Sequence, residues 1–260
     1  MRADVYLVEQ GIVDSRTRAG RLISEGKVLI DGRSIQKPSE SVSDVEHKIE
    51  ITQPDRFVGR GGIKLEAALA EFKIDVDGKR CIDVGASTGG FTHCLLQSGA
   101  AHVFAVDSGR EQLHRDLLDD PRVSSIEGYN ARGLNPQDFG IFDVAVMDVS
   151  FISQTLIHPA LATVLCDGAV FISLIKPQFE VGRSAIGKNG IVKSPKDREN
   201  AIVRVLESAS ICGFDVCGVM RSPIEGGDGN VEYLACFKRR YERKTELKTE
   251  SFKLSTLCRL

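Results

Sequence analysis

The sequence predicts an α/β protein, a doubly wound sheet with a smaller α/β unit ahead of it, and three observations carry that expectation. From about residue 61, short apolar runs rich in β-branched residues alternate with helical stretches. Such alternation builds a parallel sheet covered on both faces. One run enters a glycine-rich turn and leaves toward a helix, CIDVGASTGGF at Cys81–Phe91. The first 50 residues follow a different pattern, two short helices and a hairpin.

In that first stretch a helix from about Ala3 stops at Gly11. Ser15 is a good N-cap for a second helix, whose Ala19, Leu22 and Ile23 share a face and whose C′ glycine is Gly26. KVLI-DG-RSI then reads as two strands around an Asp31-Gly32 turn. ITQPDRFVGRGG, punctuated by Pro54 and three glycines, reads as the linker. Beyond it, IKLEAALAEF is an amphipathic helix, and CIDVG, HVFAVD, FDVAVMDVS, GAVFISLIKP, DVCGVMRS and NVEYLACF are strands. The expected division is 1–55, a linker at 56–60, a large domain at 61–240, and a basic tail at 241–260. The tail, beginning within RRYERKTELKTE, reads as a solvated or disordered end.

With 42% hydrophobic and 27% charged residues in 260, the chain can bury a core. The net charge of -2 gives no whole-chain attraction to nucleic acid, so RNA binding requires a local patch. Seven scattered cysteines, none in C-x-x-C spacing, suggest free thiols in a reducing cytoplasm and no structural metal. The N-terminus lacks the apolar core of a signal peptide, and the longest apolar run, near Ala169–Ile175, is far below the roughly 20 residues that span a bilayer. The expectation is a soluble cytoplasmic protein with no membrane partner.

The glycine turn admits three ligand classes. In a Walker A loop, Gly85 and Gly90 would have the spacing, but Phe91 stands where the lysine belongs. The dinucleotide fingerprint fails because Ser87 occupies its second glycine position. D-V-G-A-S-T-G-G-F suits S-adenosylmethionine instead: backbone from Gly85 through Ser87, Thr88, Gly89, Gly90 and Phe91 passes close to the ligand and opens a helix. Asp83 can accept from the ligand's ammonium, and Asp107, closing the next strand, can bond both ribose hydroxyls.

Transfer of a methyl group to nitrogen or carbon fits poorly. The fourth-strand end reads Asp148-Val149-Ser150-Phe151, without the prolines of amino-methylating enzymes. The nearest cysteine, Cys166, stands at an expected helix end before Asp167-Gly168 and reads as structural. The strand ends offer charge instead: Lys64 in the first helix, Asp148 after FDVAVM, Lys176 after VFISLI and Glu232 ahead of YLACF. Ligands sit at the carboxyl ends of parallel strands. A ribose hydroxyl needs a base as the methyl moves, and burial beside cations can bring a lysine down to roughly 7–8. Lys64 would assist Lys176, while Asp148 and Glu232 would orient ammonium groups and substrate.

VGRGGIKLEAAL, DVGASTGGFT, MDVSFIS, IKPQFEVG and GNVEYLACF together resemble the TlyA (haemolysin A-like) ribosomal RNA 2′-O-methyltransferases, within the wider FtsJ group. The likeness spans most of residues 56 to 237. LVEQGIVDSRTRAGRLISEGKVLIDG is similar to the S-four (αL) RNA-binding domain of that family. The resemblance implies a Rossmann-like class I methyltransferase sheet, S-adenosylmethionine as cofactor, and a cytidine ribose in ribosomal RNA or a ribosomal subunit as substrate. It also implies a Lys-Asp-Lys-Glu tetrad on Lys64, Asp148, Lys176 and Glu232, with Lys176 as the base. GRGGIK departs from relatives that often have a serine before the arginine, and the lysine stays in place. Other readings are a non-catalytic RNA-binding or ribosome-assembly factor and a pore-forming haemolysin, against which the lack of a spanning segment speaks.

In the small domain, Arg16, Arg18, Arg21, Lys27 and Arg33 are candidates for a phosphate-binding surface. Residues 180–199 form a long loop ending in a Ser194-x-x-Asp197 capping box with Pro195 at N1. Glycine-containing loops beside a catalytic lysine often act as lids, so ordering on RNA binding is expected.

Overall fold

The computed structural model describes residues 1–13, 15–43, 45–53, 55–227 and 229–241. It divides into two compact units, Met1–Arg56 and a second from Phe57 on.

The first unit holds α1 (Ala3–Glu9), α2 (Arg16–Ser24) and a three-stranded antiparallel sheet of β1 (Val28–Ile30), β2 (Arg33–Ser34) and β3 (Ile49–Ile51), in the order β2-β1-β3. Ser15 caps α2 by accepting from the Arg18 N–H at 3.3 Å, and Gly26 follows its end with φ +69. Asp31 and Gly32, both left-handed, make the turn between β1 and β2, which is why Asp-Gly stands there. The core gathers Tyr6, Leu7, Ala19, Leu22, Ile23, Val28 and Ile35, each at most 2% exposed. β3 escaped the sequence reading because three residues are too few for a period to emerge. Its last residue, Ile51, opens the segment read as a linker.

The second unit carries α3 (Gly61–Phe72), β4 (Arg80–Val84), α4 (Gly90–Gln97), β5 (His102–Val106), α5 (Arg115–Leu118), β6 (Val123–Ile126), α6 (Pro136–Phe139), β7 (Phe142–Met147), α7 (His158–Thr163), β8 (Leu165–Ile175), α8 (Pro177–Glu180), α9 (Pro195–Ile211), β9 (Phe214–Arg221) and β10 (Tyr233–Arg239). The seven strands lie in the order β6-β5-β4-β7-β8-β10-β9. β4 to β8 are parallel, and the order reverses beside β4, where such sheets bind ligands. Both sheet faces are apolar: Val144 and Val146 point into one layer, Ala145 and Met147 into the other. Phe171, Phe214 and Phe237, all fully buried, cluster in the second layer, and burying each stabilises by about 1.5–3 kcal/mol.

Two expectations are corrected. The sheet is mixed, because β10 runs antiparallel to β8 and β9. Among the described residues of the 222–232 connection between β9 and β10 there is no helix to make a crossover, and the chain reverses. Cys166 is no helix-end residue: α7 stops at Thr163 and Cys166 already belongs to β8. Asp167-Gly168 breaks the strand's register rather than ending a helix, with Gly168 at φ +78 and a shift opposite Phe142 and Val144. β6, reading Val-Ser-Ser-Ile at the sheet edge, has too little apolar content to be recognised as a strand. The basic tail lies outside the described residues from 242 on, as does Cys258.

Candidate active site and nucleic-acid interface

The glycine turn follows β4. Gly85, at φ +85, lets the chain pass so close to β7's end that a Cβ there would stand 2.6 Å from the Asp148 carbonyl oxygen. Gly89, at φ +93, caps α4 in the left-handed conformation, and a Cβ would meet Leu117. Any other residue at either position strains the turn. Asp107 ties this turn to the next strand end: Oδ2 accepts from the Ser87 N–H at 2.8 Å and Oδ1 from the Gly109 N–H at 2.7 Å.

A cavity of about 690 Å³ opens beside this turn, with Gly85, Ser87 and Asp107 on its wall. Its far side is made by Gln112, Tyr129, Asn130, Ile152 and Ile157. Sequence reasoning missed Tyr129 and Asn130. Their signal was a Gly-Tyr-Asn string, and it became informative only once Val123–Ile126 is recognised as a strand. Thr88, Gly90 and Phe91 line a neighbouring recess of about 170 Å³. Asp83 lines neither space: it is fully buried under the turn, with Oδ2 accepting from Thr92 Oγ1 at 2.7 Å and Oδ1 without a hydrogen-bond partner among the described residues. Burial pushes its carboxyl up to about 7.

The four charged residues converge at one sheet edge. Asp148 and Lys176 directly follow the parallel strands β7 and β8. β10 starts at that same edge because it is antiparallel: Tyr233 pairs with Ile175, so Glu232 lies beside the Lys176 position. They form two ion pairs. Lys176 Nζ stands 2.6 Å from Asp148 Oδ1 and donates to Ser150 Oγ at 2.8 Å, on the wall of the smaller recess with Arg60 and Gly61. Lys64 Nζ and Glu232 Oε2 are 2.5 Å apart, both nearly excluded from solvent, and neither lines that recess. A lysine in the first turn of α3 opposes the helix dipole, so its local setting alone does not explain it.

Next to Lys176 stands Phe151, 92% exposed and left-handed at φ +65. Its ring lies 5.2 Å from that of Phe179, on the helix that follows Lys176. A bare, strained aromatic at a strand-end site has no packing reason to be there. Sequence reasoning used Phe151 only to rule out a proline box.

The five basic candidates of the small unit each meet an acid. Arg18 and Arg21 share Asp55, Arg21 and Lys27 share Glu25, Arg16 reaches Asp4 at 3.2 Å, and Arg33 reaches Glu40 at 2.6 Å. Arg2, overlooked in the sequence, also holds Asp4, whose carboxyl is lowered to about 2 chiefly by that bond. By contrast, Arg183, Lys188 and Lys193 on the loop after Glu180, and Lys196 in the first turn of α9, are all exposed. That loop contains two short 3₁₀ turns and is fastened at its far end. Buried Asn230 accepts from the Val192 N–H at 3.0 Å and donates to the Gly190 carbonyl at 3.1 Å. Ser194 caps α9 by accepting from the Asp197 N–H at 3.2 Å, as the spacing predicts.

Residues 57–239 match the family model of the FtsJ-like methyltransferases, and residues 1–47 that of the S4 domain. Over 249 residues the chain is 44% identical to a 16S/23S rRNA (cytidine-2′-O)-methyltransferase, TlyA, of Mycobacterium tuberculosis, covering 95% of this chain and 93% of that one. Hemolysin A of Brachyspira hyodysenteriae is 42% identical over 239 residues, covering 91% of this chain and 99% of the relative. A solved protein from Streptococcus thermophilus superimposes with a TM-score of 0.75 at 44% identity, covering 92% of this chain and 88% of that chain. Among the described residues, no helix is long and apolar enough to cross a membrane.

Proposed function

The chain belongs to the FtsJ-like methyltransferase family, in its TlyA branch with an S4 domain, and we propose from that premise that it methylates a cytidine 2′-hydroxyl in ribosomal RNA with Lys176 as general base. The single observation that carries the role of Lys176 is its setting: Nζ is held between Asp148 Oδ1 and Ser150 Oγ on an open recess bounded by the glycine turn.

The cavity fits S-adenosylmethionine. Asp107 would take the ribose hydroxyls, Ile152 and Ile157 would flank the base, and the Gly85–Gly90 backbone would admit the amino-acid end. Asp83, fully buried and lining neither cavity, would support the turn from beneath rather than meet the cofactor. Bound there, the cofactor supplies an electrophilic methyl on a sulfonium.

The chain's own residues do the rest. Lys176, in its neutral form, takes the 2′-hydroxyl proton at Nζ, and Asp148 then holds the ammonium that results. Ser150 orients Nζ. Lys64 and Glu232 fix α3 against β10, which keeps Gly61 and Arg60 on the recess wall. Phe151 offers a face on which an unstacked base can rest, as single-stranded and flipped nucleotides do on aromatic rings. Asp83 and the tight turn exclude water from below.

RNA affinity would come from two places. The S4 unit's arginines would exchange their acids for phosphates, and Arg183, Lys188, Lys193 and Lys196 would meet backbone near the target, with the loop ordering as it closes. Ribosomal RNA as substrate makes the cytoplasm the place of action.

The test uses ribosomal subunits from cells lacking the gene, with a labelled methyl donor and wild-type protein. Label in an alkali-resistant linkage is the outcome this function requires. Tight RNA binding with no label on either subunit or on free RNA would leave only a binding module.

A further inference from the structure

We propose that Glu180 is a positioning residue for methyl transfer: its buried carboxylate fixes the segment that carries Ser150 and Phe151 against the segment that carries Lys176. The proposal rests on Lys176 being the base. Glu180 ends α8, the single-turn helix that starts directly after Lys176, and is only 3% exposed. Its oxygens are both engaged by the loop after β7: Oε1 accepts from the Gln154 N–H at 2.9 Å and Oε2 from Ser153 Oγ at 2.5 Å.

These bonds are the far end of a stitched seam. At the near end Lys176 grips Asp148 and Ser150, and between the two ends the rings of Phe151 and Phe179 meet. Gln154, 1% exposed, extends the seam by donating to the Leu174 carbonyl at 3.4 Å and accepting from Ser173 Oγ. Phe151 sits mid-seam in a left-handed conformation that it would leave if the flanking residues were free.

Glu180 touches neither cavity, and burial raises its carboxyl. Burying a carboxylate is expensive, and the Arg204 guanidinium, which donates to the Glu180 carbonyl at 2.8 Å, offsets part of that cost by its charge. The carboxylate fits because it accepts from both neighbours at once, taking charge-assisted bonds from the Gln154 N–H and the Ser153 O–H. Glutamine has the same shape but no charge, and its NH₂ forces the Ser153 hydroxyl to turn away, so both charge-assisted bonds are weakened or lost. That mismatch would loosen Ser150 and Phe151 while leaving the cofactor turn alone, and misplacements of about 1 Å can lower a rate 100-fold.

The experiment compares full-length wild type, Glu180→Gln, Ser153→Ala and the double variant, each by kcat, donor affinity and thermal stability. Glu180→Gln should lower kcat roughly 10- to 100-fold while donor affinity stays within about twofold. Adding Ser153→Ala, which removes one opposed donor, should recover part of the rate. An unchanged kcat in Glu180→Gln overturns the proposal. So does a loss of rate, donor affinity and stability together without recovery in the double variant, because that is the signature of a fold residue. If Glu180→Gln does not fold, Ser153→Ala alone carries the test, with a lowered kcat at unchanged donor affinity expected and an unchanged kcat overturning. Lys176→Ala run alongside separates the two claims. Normal turnover there removes the base assignment, whereas an inactive Lys176→Ala beside a fully active Glu180→Gln removes only the positioning role.

Discussion

Lys64 Nζ and Glu232 Oε2 lie 2.5 Å apart although 168 residues separate them in the chain, and both side chains are almost wholly buried. The pair fastens the first turn of α3 to the start of β10. Removing one partner leaves a buried charge without its counter-ion, so Glu232→Ala should destabilise the fold by about 3–5 kcal/mol. Replacing both with apolar residues, Lys64→Met with Glu232→Leu, should recover most of that loss. Denaturant unfolding of the single and double variants measures it, and additive losses would show that the pair is not a unit.

Asp107 connects the cofactor turn to the next strand end through the N–H groups of Ser87 and Gly109. Asp107→Ala strips both of their acceptor and removes the group assigned to the ribose hydroxyls. Donor affinity should fall roughly 10- to 100-fold, and less in Asp107→Asn, which keeps one acceptor oxygen. Equilibrium dialysis reads this directly. Unchanged affinity would mean the cofactor sits elsewhere.

Phe151 is a case where function and stability should part. Its left-handed backbone carries strain that glycine would not, and its 92% exposed ring contributes little packing. Phe151→Gly should leave thermal stability unchanged or raise it by about 1 kcal/mol. The same variant should lower kcat/KM for RNA, because a base would lose its stacking platform. A stable variant with full activity would remove Phe151 from the site.

His158 gives the fold an acid-side weakness. Burial pushes its imidazole down to about 4, with Nδ1 bonded to Ser208 Oγ at 2.9 Å. The unfolded chain takes up that proton at about 6.5. The contribution is therefore complete above that value and is lost as pH falls toward 4, on the order of 3 kcal/mol in all. Asp83 acts in the opposite sense, since its carboxyl is raised to about 7 and it weakens the fold as pH climbs toward that value. His158→Asn keeps a partner for Ser208 and does not titrate. Its stability should change less than wild type's between pH 7 and 5, whatever its absolute value, and equal changes would exclude His158.

Much of this was legible in the sequence because each feature leaves a local mark. Ser15 and Ser194 cap helices, Asp31-Gly32 turns a hairpin, and DVGASTGG with Asp107 describes a βα turn and the acid at the next strand end that holds it. Lys176 stood out because lysine rarely ends an apolar run. What the sequence hid depends on partners distant in the chain. Gln154 and Glu180 look like ordinary loop polar residues until the fold brings their segments together and buries both. The arginines of the small unit read as a phosphate-binding surface or as a solvated face offset by nearby acids, and only the fold shows that Asp4, Glu25, Glu40 and Asp55 pair with them. The direction of β10 was likewise invisible, because its composition is that of a buried strand of either sense.

The most direct test of the central claim is single-turnover methyl transfer by Lys176→Ala, with saturating labelled donor and substrate RNA already bound. The account requires donor and RNA affinities within about threefold of wild type and a rate at least ~100-fold lower, the scale of one general base. Label arriving at the ribose oxygen at close to the wild-type rate would contradict it, and the proton would then have to leave by a route that does not involve Lys176.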